Sequence, residues 1–204
     1  MEKVLVTGAT GYIALHCVQQ LLDQGYAVNG SIRSPERKNE VIEALKNSGT
    51  STENLNLYVF DLTNDEGWDD GMEGCDYLLH VASPLALENH TEDYFVKPAV
   101  AGAKRALKFA KKHGVKKVVL TSSVAAIFET GEEKVFYDES DWSDPDNPNI
   151  SNYAKSKTLA EKAAWEFLKE EGNPFDFAVI NPALVIGPSL SGCLLYTSPS
   201  PRDY

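Results

Sequence analysis

The chain has 204 residues, 43% hydrophobic and 24% charged, a composition that suits a folded protein with one sizeable core. Its formal net charge of −11, with no compensating basic cluster, argues against a nucleic acid or an anionic membrane surface as partner. No apolar run approaches the roughly 18 residues that cross a bilayer, and the N-terminus enters a strand pattern without a signal-peptide profile, so a cytoplasmic location is expected.

Lys3 to Thr7 is a short apolar strand pattern, followed by a Gly-rich turn and by Tyr12 to Gln24 with apolar residues at helical spacing. The pattern repeats as a strand at Ala27 to Ile32, a helix from Pro35, a strand at Leu55 to Phe60, a short helix over Asn64 to Met72, and a strand at Tyr77 to His80. A long helix from Asp93 to His113 follows, then the strand Lys117 to Thr121, the helix Asn152 to Glu171 and the strand Phe175 to Ile180. Such alternation predicts an α/β fold, a Rossmann-type doubly wound parallel sheet with helices on both faces.

Between the last two helices lies an irregular acidic stretch, Glu129 to Asn149, in which Glu129, Glu132, Glu133, Asp138, Glu139, Asp141, Asp144 and Asp146 face a single Lys134. It reads as a surface loop, and its place between two candidate catalytic segments makes it one wall over a site. The folded domain is expected to cover 1–192. From Cys193 to Asp203 the string Cys-Leu-Leu-Tyr-Thr-Ser-Pro-Ser-Pro-Arg-Asp has no periodicity and matches, codon for codon, the translation of a transposon-type sequencing adapter. Residues 193–204 are therefore read as a foreign tail, and the natural chain is expected to continue beyond Gly192.

Cys17, Cys75 and Cys193, with His16, His80, His90 and His113, have no metal-like spacing, so neither zinc nor disulfides are expected. Cys17 and Cys75 read as buried small hydrophobes.

Val6-Thr7-Gly8-Ala9-Thr10-Gly11-Tyr12-Ile13-Ala14 ends a strand and opens a helix, the context of a dinucleotide-binding turn. Gly8 and Gly11 permit a tight turn and close approach to a pyrophosphate, and the helix start offers unpaired N–H groups. A plain β–α turn would carry the same glycines. At the end of the second strand, Gly30-Ser-Ile-Arg33-Ser-Pro-Glu-Arg37-Lys38 has no acid where NAD-preferring folds hold the ribose. Arg33, helped by Arg37 or Lys38, suits a 2′-phosphate, which predicts NADPH over NADH, although a solvated basic helix start is the alternative. Asp61 and Leu62, after the third strand, are placed to contact adenine, and Val81, Ala82 and Ser83, after the fourth, to line the middle of the cofactor.

Tyr153 and Lys157 are four residues apart at the start of a predicted helix, on one face. A phenol titrates near pH 10, and a neighbouring ammonium brings it toward working range. Ser123, or the competing Ser122, ends a strand where it can hydrogen-bond a substrate carbonyl. A Tyr and Lys at this spacing is common on amphipathic helices. Here the pair follows a dinucleotide turn and a strand ending in Thr-Ser-Ser, and precedes a strand ending in Asn181-Pro-Ala-Leu-Val185. Farther along, the stripe Leu159, Ala160, Ala163, Ala164, Phe167, Leu168 reads as core, and equally suits helix pairing in a homodimer.

Thr-Gly-Ala-Thr-Gly-Tyr-Ile-Ala, His80-Val-Ala-Ser-Pro84, Val119-Leu-Thr-Ser-Ser123, Tyr153-x-x-x-Lys157 and Ala160-Glu-Lys-Ala-Ala-Trp-Glu-Phe167 occur in this order. With them the chain resembles the extended short-chain dehydrogenases of the epimerase/dehydratase superfamily, closest to NADPH-dependent aldehyde and methylglyoxal reductases and their dihydroflavonol reductase relatives. The resemblance spans Met1 to about Gly192, and implies Ser123, Tyr153 and Lys157 as catalytic triad and Arg33, Asp61, Leu62 and Pro182 to Val185 as cofactor contacts. It also implies a C-terminal substrate-binding part that this chain lacks. The expected activity is NADPH-dependent reduction of a small aldehyde or ketone. A nucleotide-sugar epimerase or dehydratase with bound NAD is the alternative enzyme, which Arg33 opposes. A non-catalytic NADP-binding sensor is the alternative outside enzymes, which the Tyr and Lys pair opposes.

Overall fold

A computed structural model of the chain describes residues 1–84, 91–130 and 134–191. The expected foreign tail at 193–204, His90 and two acids of the irregular stretch, Glu132 and Glu133, lie outside the described residues.

Six strands, β1 (Lys3–Val6), β2 (Ala27–Ile32), β3 (Leu55–Val59), β4 (Tyr77–His80), β5 (Lys117–Thr121) and β6 (Asp176–Ile180), form one sheet in the order β3-β2-β1-β4-β5-β6. Every pairing is parallel, so every connection crosses over a face of the sheet. The crossovers contain α1 (Tyr12–Asp23), α2 (Lys38–Asn47), α3 (Trp68–Met72), α4 (Glu92–Lys112) and α5 (Asn152–Glu170).

Strand alternation divides the core in two. Val4 and Val6 of β1 pack with Val28, and with Ala14, Leu15 and Val18 of α1 and Val41 and Leu45 of α2. Leu5 points to the other face and joins Leu78, Val118, Trp68, Met72, Leu107 and Leu168, which belong to the α3, α4 and α5 side. The doubly wound architecture thus follows from which neighbours each strand residue can reach.

The largest departure from the sequence reading is the helix expected over Asn64 to Met72, of which only Trp68–Met72 is helical. Asn64 Oδ1 accepts from Glu66 N at 3.0 Å, and Gly67 at φ 78° caps the helix from the left-handed region, so local turns displace the first helical turn. Cys75 is buried as expected, with its thiol pushed up to about 11 by burial. Cys17 is a correction: it is only half-buried on α1, because its side chain lies at the margin of the apolar stripe.

Candidate active site

The strand order reverses between β1 and β4, and the crevice beyond their carboxyl ends is where open α/β sheets bind ligands. Thr7 ties the two strands together there. Its Oγ1 accepts the N–H groups of Val81 and Ala82, each at 3.0 Å, so its own hydroxyl hydrogen is left for His80 Nδ1 at 2.9 Å. His80 is therefore an acceptor at Nδ1. Burial and then the charge of Lys157 push its pKa down to about 3, so the imidazole is neutral.

Gly8 has φ +71°, and a Cβ on it would stand 3.1 Å from Ala82 Cβ, so both its conformation and its space call for glycine. Its N–H donates to Ser31 Oγ at 2.8 Å, while Ala9 N donates to Ser31 O at 2.8 Å. Gly30 permits this descent onto β2, since a Cβ there would meet Ala9 Cβ at 3.0 Å. Gly11 caps α1 with no side-chain hydrogen bond, and no acid occupies the first turn. No side chain caps the helix start, and its positive end favours an anion, with Thr10, Tyr12 and Ile13 half-buried around it. Gly8→Ala is expected to lower Tm by about 2–8 °C, from about 1–2 kcal/mol of left-handed strain, and to weaken dinucleotide binding by at least about tenfold. Calorimetry with a fluorescence titration checks both, and parent affinity would remove Gly8 from the site.

Arg33 is exposed just past β2, on the same sheet edge. Arg37, in the adjacent 3-10 turn, donates Nε and Nη2 to Glu40, each at 2.9 Å, which leaves Arg33 as the more available guanidinium. Asp61 accepts from both Thr63 N (2.8 Å) and Thr63 Oγ1 (2.6 Å) through Oδ1, forming the turn beyond β3. Leu62 packs onto α4 where Gly102 leaves room, a Cβ there falling 3.1 Å from Leu62 Cβ. Val81, Ala82 and Ser83 follow β4 and are half-buried. On the far side of the crevice, Pro182 O accepts Val124 N at 3.0 Å, and the chain runs past the exposed Val185 to Pro188, whose carbonyl pairs with His16 Nε2 at 3.0 Å. Through Pro188 this run reaches His16 of α1.

Ser122 and Ser123 are adjacent, and Ser123 has extended backbone, so their side chains diverge. Ser123 Oγ accepts Ala125 N at 3.2 Å, which leaves its hydrogen to donate. Ser122 Oγ is buried with no protein partner and lines a cavity of about 20 Å³ with His80, Leu120, Lys157 and Glu161. Both serines are buried, and Ser123 keeps a hydroxyl hydrogen to donate. Beside it, Ser151 Oγ caps α5 by accepting Ala154 N at 3.1 Å, and its N–H reaches Glu129 Oε2 at 3.2 Å. The acidic stretch is thereby attached on both sides: Ser143 donates through Oγ to Ala125 O and through N to Ala126 O, each at 2.8 Å, next to Ser123.

Helical spacing brings Lys157 Nζ to 5.7 Å from the centre of the Tyr153 ring, and Phe95 of α4 meets that ring edge-on at 6.4 Å. Lys157 is 6% exposed, and burial pushes its pKa down to about 8, against which the Glu161 carboxylate acts. Within the stripe farther along α5, Ala160, Ala163, Ala164 and Leu168 are buried, while Leu159 and Phe167 are partly exposed. Sequence reasoning passed over Ser31, His80, Ser143, Glu161 and Asn181. Glu161, four residues after Lys157, and Asn181, directly after β6, were the two with a readable positional signal. Among the described residues, no group of three His, Cys, Asp or Glu side chains could hold a metal, and no helix is long and apolar enough to cross a membrane.

A family model described as the NAD dependent epimerase/dehydratase family matches residues 4–196. A bifunctional dihydroflavonol 4-reductase/flavanone 4-reductase of Pyrus communis is 38% identical over 196 residues, covering 93% of this chain and 56% of its own length. Cinnamoyl-CoA reductase 1 of Arabidopsis thaliana is 41% identical over 194 residues, covering 93% and 54%. The crystal structure of yeast methylglyoxal/isovaleraldehyde reductase Gre2 complexed with NADPH superposes with a TM-score of 0.80 at 34% identity, covering 92% of this chain and 59% of that one. The chain thus spans little more than half the length of these relatives.

Proposed function

The chain belongs to the NAD dependent epimerase/dehydratase family, and from that premise we propose that it serves an NADPH-dependent reductase that converts an aldehyde or ketone to an alcohol. The observation that carries this reading is a buried Lys157 one helical turn from Tyr153, sharing a cavity with Ser122, the neighbour of Ser123, at the carboxyl edge that also holds Gly8 and Arg33. The residues fit the cofactor: Gly8 and the uncapped start of α1 would hold the pyrophosphate, and Arg33 the 2′-phosphate. When bound, NADPH supplies the hydride for the carbonyl carbon.

The side chains of the site divide the remaining work. Ser123 donates to the carbonyl oxygen and holds it, while Tyr153 gives that oxygen its proton. Lys157 stands by as an ammonium at neutral pH, which favours the phenolate left on Tyr153 and gives the site a donor for a ribose hydroxyl. His80 takes no proton in this range, because its Nδ1 lone pair is committed to Thr7 and its ring is buried.

The test is NADPH oxidation by the full-length protein, followed by absorbance, against small aldehydes, 2-oxoaldehydes and nucleotide sugars. Consumption is expected with aldehydes or 2-oxoaldehydes, with much slower oxidation of NADH. Turnover of nucleotide sugars without net NADPH consumption would replace the reductase with an epimerase or dehydratase.

A further inference from the structure

Glu161 lies one helical turn beyond Lys157 on α5 and is 5% exposed. A carboxylate this far from water is stable only with partners that offset its desolvation. Asn181 is one, donating through Nδ2 to Glu161 Oε2 at 2.9 Å and to the backbone carbonyl of Ser123 at 3.1 Å. Trp165 Nε1 approaches Oε1 at 3.5 Å. The carboxylate also lines the cavity of about 20 Å³ shared by Lys157, Ser122 and His80, a space that fits one water.

Around Lys157, β4 contributes the neutral His80, α5 contributes Tyr153 and Glu161, α4 contributes Ala99 and Ala103, and the end of β5 contributes Leu120, Thr121 and Ser122. Glu161 is the one anion in that set. We infer that Glu161 is a positioning residue: through Asn181 it fixes the backbone that carries Ser123, and across the cavity it supplies the counter-charge to Lys157.

This rests on the reductase reading, in which Ser123 and Lys157 serve the reaction. The two hydrogens of the Asn181 amide are divided between Ser123 O and Glu161, so the carboxylate locks the amide plane that holds the serine backbone. Burial pushes the Lys157 pKa down, and the carboxylate acts in the opposite direction.

Two substitutions in the full-length protein separate the two roles. Glu161→Gln keeps an acceptor oxygen for Asn181 and removes the charge. It is expected to move the alkaline limb of kcat/KM to lower pH by about one pH unit, and to move the Lys157 Cε NMR titration of the cofactor-free protein equally. Asn181→Ala keeps the charge and cuts the bridge, and is expected to lower kcat by about tenfold with the limb in place and KM for NADPH nearly unchanged. A parent-like limb and Lys157 titration in Glu161→Gln, or parent kcat in Asn181→Ala with only Tm reduced, would overturn the inference. Should Glu161→Gln not fold, Glu161→Asp keeps the charge on a shorter stem and is expected to keep the limb and lose kcat as Asn181→Ala does; parent kcat there overturns it as well. Tyr153→Phe, measured alongside, distinguishes the failures: retained turnover there removes the reductase reading itself, whereas its loss beside a parent-like Glu161→Gln removes this inference alone.

Discussion

Tyr153→Phe is expected to lower turnover by about 10²- to 10⁴-fold while NADPH binds with parent affinity. The substitution removes one oxygen from a half-buried ring and keeps the ring that meets Phe95 edge-on. It leaves Lys157 in place, 5.7 Å from the ring centre, together with the glycine turn and Arg33. What disappears is the hydroxyl proton that, in the proposed reaction, goes to the carbonyl oxygen. Cofactor affinity by fluorescence and single-turnover rates by absorbance report the two effects separately. A variant that still turns over within a few-fold of the parent would refute Tyr153 as the acid and transfer the role to another donor. A variant that loses binding and turnover together would show that Tyr153 holds the cofactor and leave its acid role without support.

The pairing of Tyr153 with Lys157 was legible because it is local. A four-residue spacing on a helix places two side chains on one face whatever the rest of the chain does. The strands were legible for a related reason: Val4, Leu5 and Val6 are all apolar, as a strand covered on both faces requires, and the helices between strands leave a parallel sheet as the economical arrangement. The contacts that shape the site are of another kind. Ser31 meets Gly8 across 23 positions, Asn181 meets Ser123 across 58, and Thr7 meets His80 across 73. No periodicity encodes such pairs, since each depends on which strands become neighbours and in what register. Ser143 looks like any polar loop residue until its two hydrogen bonds beside Ser123 are seen. The helix start at Asn64 was misread for the opposite reason, because Asx turns at Asp61 and Asn64 satisfy the backbone locally and outcompete helical hydrogen bonds.

Arg33→Ala is expected to weaken NADPH binding by about 10- to 100-fold and NADH binding by less than about threefold. The two cofactors differ by one phosphate on the adenosine ribose, so a residue that reads that phosphate must lose affinity for one and keep it for the other. Arg33 is exposed at the end of β2 with no acid following it in the next two positions, and its guanidinium can offer a planar pair of donors to an anion. The nearby Arg37 is held by Glu40 through two hydrogen bonds of 2.9 Å, so it replaces Arg33 poorly unless that pair opens. The discrimination should also shrink with salt in the parent and much less in the variant, since screening of the pyrophosphate contact is common to both cofactors and cancels, whereas screening of the Arg33 contact falls on NADPH alone. Isothermal titration of parent and variant with both cofactors at low and high ionic strength gives all eight values. Equal losses for NADPH and NADH would assign Arg33 to the solvated start of the helix and return cofactor choice to Arg37 and Lys38.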